Sequence, residues 1–233
     1  MKKLLFFVFL SFFTLSSAQV RNEIHIPDIM GYKTLKCDFH MHTVFSDGLV
    51  WPTVRVSEAY TEGLDAIAIT DHIEYRPHKS DMPAASHNRS YELAEASAIA
   101  SGILLIRGSE ITRAMAPGHS NALFLSDCNE LDVPAWQDAF KAAKAQNAFI
   151  FWNHPGWQPG IAGSYEWLPF IEDMYKNKAL DGIEVVNGTG FHMKALDWCI
   201  DKNLTVMGST DVHNLISLSY DNSRDYVHRT MTL

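Results

Sequence analysis

The chain has 233 residues, 47% of them hydrophobic, which suits one globular domain with a sizeable core. Its formal charge of −8 argues against a general binder of duplex nucleic acid or of an anionic membrane surface. Three cysteines permit at most one disulfide.

The first 18 residues have the pattern of a secretory signal peptide. Lys2 and Lys3 precede an apolar stretch from Leu4 to Leu15, and small residues lead to a cleavage position after Ala18. The stretch is too short to span a bilayer comfortably, and no cysteine follows it to carry a lipid. We therefore predict a periplasmic or secreted protein without a stable membrane anchor, and removal of the segment would make the charge more negative by two.

Beyond this segment, strand-like and helix-like runs alternate along the chain. Seven apolar runs predict strands: Lys36–His42, Ala66–Thr70, Ile103–Arg107, Asn121–Leu125, Ala148–Trp152, Gly182–Val186 and Thr205–Ser209. Five runs between them predict helices: Pro52–Glu62, Ser90–Ala100, Pro134–Gln146, Tyr165–Lys178 and Phe191–Asp201. Such alternation predicts an α/β domain with a mostly parallel sheet.

One connection departs from this alternation. The run Asn121–Leu125 follows the preceding strand with no helix between them, so it is a candidate hairpin partner of that strand. Residues 19–34 form a lead-in segment in this interpretation, and residues 35–233 form the barrel domain.

Polar residues with metal-ligand chemistry lie at the ends of the early strands. In Asp38-Phe39-His40-Met41-His42 the two histidines are two residues apart, so both rings face the same side of a strand. Asp47 follows at a turn. Of the adjacent pair Asp71 and His72, we predict that His72 binds metal and that Asp71 orients other ligands.

The later strands end in further candidates. Glu110 follows an apolar run, and His119 lies at a turn. His154 follows a strand and precedes Pro155, which favours an extended backbone at the histidine. Asp211 and His213 repeat the two-residue spacing of the first motif. Mixed imidazole and carboxylate ligands suit zinc, manganese or iron.

Each of these patterns alone has an ordinary structural explanation, such as a loop histidine or a surface carboxylate. Their succession at strand ends and turns favours a common metal site, because parallel strands of a barrel present such positions at one rim. Five other histidines lack this placing and are not predicted to bind metal: His25, His78, His87, His192 and His228.

Together these motifs resemble those of the PHP (polymerase and histidinol phosphatase) superfamily, from about Leu35 to the end of the chain. The resemblance implies a distorted seven-stranded (β/α) barrel, three divalent metal ions (Zn, Mn or Fe) and phosphoesterase activity. Relatives usually continue beyond the position of Leu233, so truncation at the C-terminus stays open.

The resemblance also implies the ligands of each ion. His40, His42, Glu110 and Asp211 would hold the first ion. Glu110 would bridge to a second ion held by His119 and His154, and Asp47, His72 and His213 would hold the third. Some relatives have histidine at the position of Asp47.

The implied chemistry is hydrolysis of a phosphate mono- or diester by metal-activated water, with Asp47, Glu110 and His213 as candidate catalytic residues. Arg76 and Arg113 are the preferred candidates for binding the phosphate of a small substrate, such as a nucleotide, an oligonucleotide or a sugar phosphate. Loops Tyr75–Tyr91 and Trp157–Glu166 would select that substrate.

Two alternatives remain at this stage. Amidohydrolase barrels also begin with His-x-His, although they usually carry a bridging lysine or a different order of histidines. A non-catalytic metal-binding module is the other alternative. The oligomeric state stays open.

Overall fold

Strands of a curled, mixed β-sheet form the centre of the molecule, which confirms the predicted α/β barrel-like fold. The computed structural model describes residues 20–82, 86–156, 166–220 and 229–233. The predicted signal peptide lies outside these residues. In the described part of the chain, no helix is long and apolar enough to cross a membrane.

All seven predicted strand runs correspond to strands. The strands are β1 (Cys37–Asp38), β2 (Ala66–Ile69), β3 (Leu104–Thr112), β4 (His119–Leu123), β5 (Phe149–Trp152), β6 (Gly182–Asn187), β7 (Gly190–Phe191) and β8 (Thr205–Ser209). The short β7, which was not predicted, folds back on the end of β6. The hydrogen-bonded order is β1-β2-β3-β4-β5-β6, with β8 on the far side of β6.

Helices lie between most of the strands. They are α1 (Pro52–Thr61), α2 (Arg89–Ser101), α3 (Trp136–Ala145), α4 (Pro169–Lys176), α5 (Met193–Lys202) and α6 (Ile216–Ser219), with a 3-10 helix at Cys128–Leu131. Proline at the first turn starts α1, because a proline there has no helical hydrogen bond to lose. Gly102 ends α2 with a left-handed backbone, φ 68°.

The predicted hairpin is confirmed, and it determines where one site residue lies. β3 and β4 pair antiparallel, as do β4 and β5, whereas β1–β2, β2–β3, β5–β6 and β6–β8 pair parallel. Because β4 runs opposite to its neighbours, its first residue lies at the rim where the other strands end. His119 therefore faces Thr112 across the hairpin.

The two ends of the sheet approach each other at the same rim. Residues just beyond β1 and β8 pair in parallel, with Asp211 N–H donating to the His40 carbonyl and His42 N–H to the Val212 carbonyl, at 2.8 and 3.0 Å. Lower down, Thr232 forms an antiparallel bridge with Cys37. β1 itself spans only Cys37–Asp38, so the predicted strand Lys36–His42 was too long at both ends.

Apolar side chains fill both sides of the sheet. Ala68, Leu123, Phe151 and Met207 form a small buried cluster contributed by four different strands. A second cluster packs α1 and α2 against β2, and a third packs α3, α4 and α5 against the later strands. The three cysteines are buried and free. The lead-in segment contacts the domain through Arg21, which forms an ion pair with Asp65 at 3.0 Å.

A buried arginine near the chain's end joins two separate segments. Arg229, whose side chain is 2% exposed, forms ion pairs with Asp38 at 2.8 Å and with Glu62 at 2.7 Å. Asp38 also accepts hydrogen bonds from the hydroxyl and N–H of Thr210. The arginine thereby ties the final segment to β1 and to the end of α1.

We expect Arg229→Met to lower the free energy of unfolding by about 3–5 kcal/mol, because it leaves two buried carboxylates without their cation. Urea denaturation of the metal-free protein measures this effect. Arg89→Met is the matched control, since the Arg89 side chain is 49% exposed and forms an ion pair with Glu92 on the same helix. That control should change stability by less than about 1 kcal/mol, and equal effects of the two substitutions would contradict the prediction.

Candidate metal centre

The nine residues proposed as metal ligands lie together at one rim of the sheet. Their donor atoms form four overlapping groups, and within each group all atoms lie within 4.8 Å of one another. The groups are His42, Asp47, His72 and His213; His40, His42 and Glu110; His40, His154 and Asp211; and Glu110, His119 and His154. Residues separated by up to 173 positions in sequence therefore share one cluster.

Glu110 lies at the centre of this cluster and is fully buried. Its Oε2 atom is 3.2 Å from His40 Nε2, 3.3 Å from His42 Nε2 and 3.1 Å from His72 Nδ1. Its Oε1 atom is 2.8 Å from His119 Nδ1. The two oxygens of one carboxylate thus face different imidazoles.

Asp211 and Asp47 lie on either side of Glu110. Asp211 Oδ1 is 3.1 Å from His40 Nε2 and 3.0 Å from His42 Nε2. Asp47 Oδ1 is 3.3 Å from Nε2 of both His72 and His213.

Gly48 permits the turn that presents Asp47. A Cβ atom there would lie 2.6 Å from the His42 carbonyl carbon, so only glycine allows this close approach to the backbone.

Burial and neighbouring charges shift the pKa values of the cluster strongly. Burial favours neutral His40, yet the carboxylates of Asp211 and Glu184 outweigh it and raise its pKa well above the usual range. Burial is likewise outweighed at His72, whose pKa rises to about 10 beside Glu110 and Asp47. Burial also opposes the charge of Glu110, but His72 and the other imidazoles hold its pKa well below the usual range.

Burial and neighbouring charges also shift the pKa values of His42, His154 and Asp211. Burial and the nearby charge of His72 lower the pKa of His42 to about 4. Burial lowers the pKa of His154. At Asp211, burial is outweighed by His40, so the pKa falls well below the usual range. Imidazole–carboxylate contacts therefore hold the cluster together, and a cation that binds there competes with protons for the imidazole nitrogens.

The donors present fit divalent cations. Glu110 Oε1 and Asp47 Oδ1 are buried and accept no hydrogen bond within the described residues, although imidazole nitrogens lie 2.8 and 3.3 Å away. Buried carboxylate oxygens normally accept hydrogen bonds, and oxygens that accept none are suited to contact a cation. Six imidazoles and three carboxylates form a donor set suited to zinc, manganese or iron.

Asp71, which we predicted to orient other ligands, contacts the segment that carries His42 and Asp47. Its carboxylate accepts hydrogen bonds from the Thr43 N–H and hydroxyl, both at 2.7 Å, and from the Ser46 hydroxyl at 2.8 Å. Ser46 Oγ in turn lies 3.3 Å from His42 Nδ1. The carboxylate thus acts on His42 through a serine.

The sequence analysis missed Glu184, a fully buried residue of β6. Its Oε1 atom is 2.9 Å from His40 Nδ1, while Oε2 accepts hydrogen bonds from the His154 N–H and the Asn187 amide, both at 2.8 Å. A charged residue inside the apolar run Gly182–Val186 was the signal that could have indicated it.

The extended backbone expected at His154 was wrong. The residue has φ 30°, in the left-handed region, and Asp211 has φ 54°. The bias from Pro155 is weak compared with the buried hydrogen bond that the His154 N–H donates to Glu184.

A cavity of about 850 Å³ opens beside the cluster. Its wall includes Tyr75, Arg113, Trp152 and Asn187 together with most of the nine residues. Arg113 donates to the carbonyls of Val133 and Pro134, and its Nε lies 2.5 Å from the Glu74 carboxylate.

The structure describes only some of the other residues considered in the sequence analysis. Arg76 is not among the residues that line the cavity in the described part of the chain. His25, His78, His87 and His192 take no part in the four donor groups. Trp157 and His228 lie outside the described residues, as do parts of both loops expected to select the substrate.

Comparison with known proteins agrees with this geometry. The PHP domain model matches residues 38–231. A crystal structure of a two-domain protein from Bacteroides vulgatus, which contains a predicted PHP-like metal-dependent phosphoesterase, is 57% identical with a TM-score of 0.88. The match covers 92% of this chain and 62% of that protein, so this chain spans less than two thirds of its length.

More distant structures share the fold alone. A candidate metal-dependent phosphoesterase from Bifidobacterium adolescentis is 18% identical, with a TM-score of 0.60 over 83% of this chain and 92% of its own. An amidohydrolase from Chromobacterium violaceum, with bound sulfate and no metal, is 16% identical, with a TM-score of 0.59 over 84% of this chain and 91% of its own. No curated protein matches the chain. Because the family model spans most of the sequence, this protein belongs to the PHP domain family.

Proposed function

We propose that this protein is a metal-dependent hydrolase of phosphate mono- or diesters. The observation that carries the proposal is the convergence of six imidazoles and three carboxylates beside a cavity of about 850 Å³. The phosphoesterase named in the 57% identical Bacteroides vulgatus protein supports it. Nucleotides, short oligonucleotides and sugar phosphates outside the cytoplasm are the proposed substrates, in keeping with the proposed export signal.

The proposed ligand sets follow the family resemblance. One ion would be held by His40, His42, Glu110 and Asp211, and a second by Glu110, His119 and His154. A third would be held by Asp47, His72 and His213. The two Glu110 oxygens, which face different imidazoles, support a bridging role for this residue.

Divalent cations bound there would activate a water molecule and neutralise charge on the phosphate. The chain's own residues would hold the donors in place. The His213 Nδ1–H donates to the Asp211 carbonyl at 2.8 Å, which leaves Nε2 directed at Asp47. The side chains of Asp47 and His213 are 21% and 34% exposed, so both can be reached from the cavity. Glu110, by contrast, is fully buried.

Metal dependence is the first test. Protein treated with a chelator should release no phosphate from monoesters and cleave no diester, and added Mn²⁺ or Zn²⁺ should restore turnover. The measurement is a panel of phosphomonoesters, phosphodiesters and amides with and without each metal. Turnover of amides alone would favour an amidohydrolase-like enzyme, and metal binding without turnover on any substrate would favour a non-catalytic module.

Glu110→Gln tests the centre of the cluster. We expect kcat/KM to fall by more than about 100-fold, since even partners one step removed from a metal typically contribute 10–100-fold. Glu92→Gln is the matched control, because Glu92 lies on α2 with its side chain 46% exposed. Full activity in Glu110→Gln would rule out the proposed bridge.

Arg113→Met tests the proposed phosphate contact. Loss of a charge-assisted hydrogen bond worth about 1.5–3 kcal/mol should raise KM about tenfold or more, with kcat less affected. Arg76→Met is the comparison, since Arg76 does not line the cavity in the described residues, and we expect little change in KM. Equal KM in wild type and Arg113→Met would remove Arg113 from the proposed site, and urea denaturation controls for its contacts with Val133 and Pro134.

A further inference from the structure

Two buried carboxylates outside the proposed ligand set contact opposite halves of the cluster. Glu184 contacts His40 and His154, whereas Asp71 contacts the segment that carries His42 and Asp47. Both residues are buried, with exposed fractions of 0% and 6%. Neither belongs to any of the four donor groups.

We propose that Glu184 is a positioning residue that holds His40, His154 and Asp211 in the arrangement required to bind cations. The inference rests on the proposed metal-dependent function and extends it to a residue outside the proposed ligands. Asp71 serves as the corresponding residue for the other half of the cluster, formed by His42, Asp47, His72 and His213.

The contact with His40 sets the direction of its ring. A carboxylate only accepts hydrogen bonds, so Glu184 Oε1 at 2.9 Å requires a proton on His40 Nδ1. A cation then binds at Nε2 once that atom gives up its proton, on the side where Glu110 and Asp211 lie at 3.2 and 3.1 Å. A carboxylate behind a ligating imidazole is a recurrent way to fix tautomer and orientation in metal sites.

The second oxygen of Glu184 acts on two further ligands. It accepts the backbone N–H of His154, a residue held at φ 30°, where non-glycine residues are uncommon. It also accepts the Asn187 amide, which donates to Asp211 Oδ2 at 3.2 Å. One carboxylate therefore contacts His40 directly, the backbone of His154 and, through an amide, Asp211.

An amide in place of the carboxylate cannot repeat this pattern. Three donors converge on Glu184, and they approach both of its oxygens. Glutamine has one accepting oxygen and one NH₂ group, so at least one of these donors would face another donor. Glu184→Gln is therefore a change of nearly the same shape that removes the function of interest.

The experiment titrates the metal-free protein with Zn²⁺ alone against a competing chelator and counts the bound ions. We expect Glu184→Gln to weaken binding of the ions held through His40, His154 and Asp211 by about 10–100-fold. The affinity for the remaining ion should be unchanged. Asp71→Asn should weaken binding of the ion that Asp47, His72 and His213 would hold, and Glu92→Gln should match the wild type. Nitrogen NMR of the imidazoles shows which ions are affected. In zinc-bound Glu184→Gln, the nitrogen shifts of His40 and His154 should differ from those of the zinc-bound wild type, while the shifts of His72 and His213 should keep their wild-type values.

Several results would overturn the inference. Wild-type affinity in Glu184→Gln would do so, as would equal weakening of every ion in both variants, which is what a general loss of structure would produce. Urea denaturation of the metal-free variants checks for such a loss. The readouts are independent of turnover, so zinc-binding wild-type protein that hydrolyses no ester would count against the proposed function and leave the role of Glu184 measurable.

Discussion

Three carboxylates surrounded by six imidazoles impose the main physical constraint on this molecule. A buried carboxylate without a partner of opposite charge would lower the stability of the protein by several kcal/mol. Glu110 is stable there as an anion because four imidazole rings lie within 3.3 Å of its oxygens. The pKa of His72 rises and that of Glu110 falls because the positive and negative charges of the two side chains stabilise each other. Protonated imidazoles and divalent cations can both supply the positive charge that these carboxylates require.

The rim that meets this constraint is assembled from separate segments, and buried polar side chains hold those segments together. Arg55 on α1 is fully buried and donates to the carbonyls of His42, Val212 and Asn214, at 2.8–3.0 Å. It therefore joins the first and the last ligand segments of the chain. Arg55 thus holds the backbone of both ligand segments. A displacement of one segment would therefore disturb the other, together with the contact that closes the sheet at this rim.

The sequence was sufficient for the parts of this arrangement that depend on local pattern. Apolar runs ending in imidazoles or carboxylates predicted both the seven strand runs and the residues that converge, and the missing helix before Asn121 predicted the hairpin that brings His119 to the rim. The local sequence pattern did not reveal the long-range contacts. Glu184 acts through residues 30 and 144 positions away, and a lone carboxylate in an apolar strand does not reveal such partners. The backbone at His154 was mispredicted for the same reason, since a tertiary hydrogen bond overrides the local preference.

The left-handed conformations at His154 and Asp211 bear on how the site is prepared for a ligand. Each such conformation costs of order 1–3 kcal/mol and persists only where surrounding contacts fix it. Here the His154 N–H donates to Glu184 and the Asp211 N–H donates to the His40 carbonyl, so these two hydrogen bonds help to hold both conformations. Contacts made on folding therefore contribute to ordering the donors. A cation that binds this arrangement more tightly than the unfolded chain would stabilise the fold. The two left-handed conformations at the rim would thereby be linked to the stability of the whole barrel.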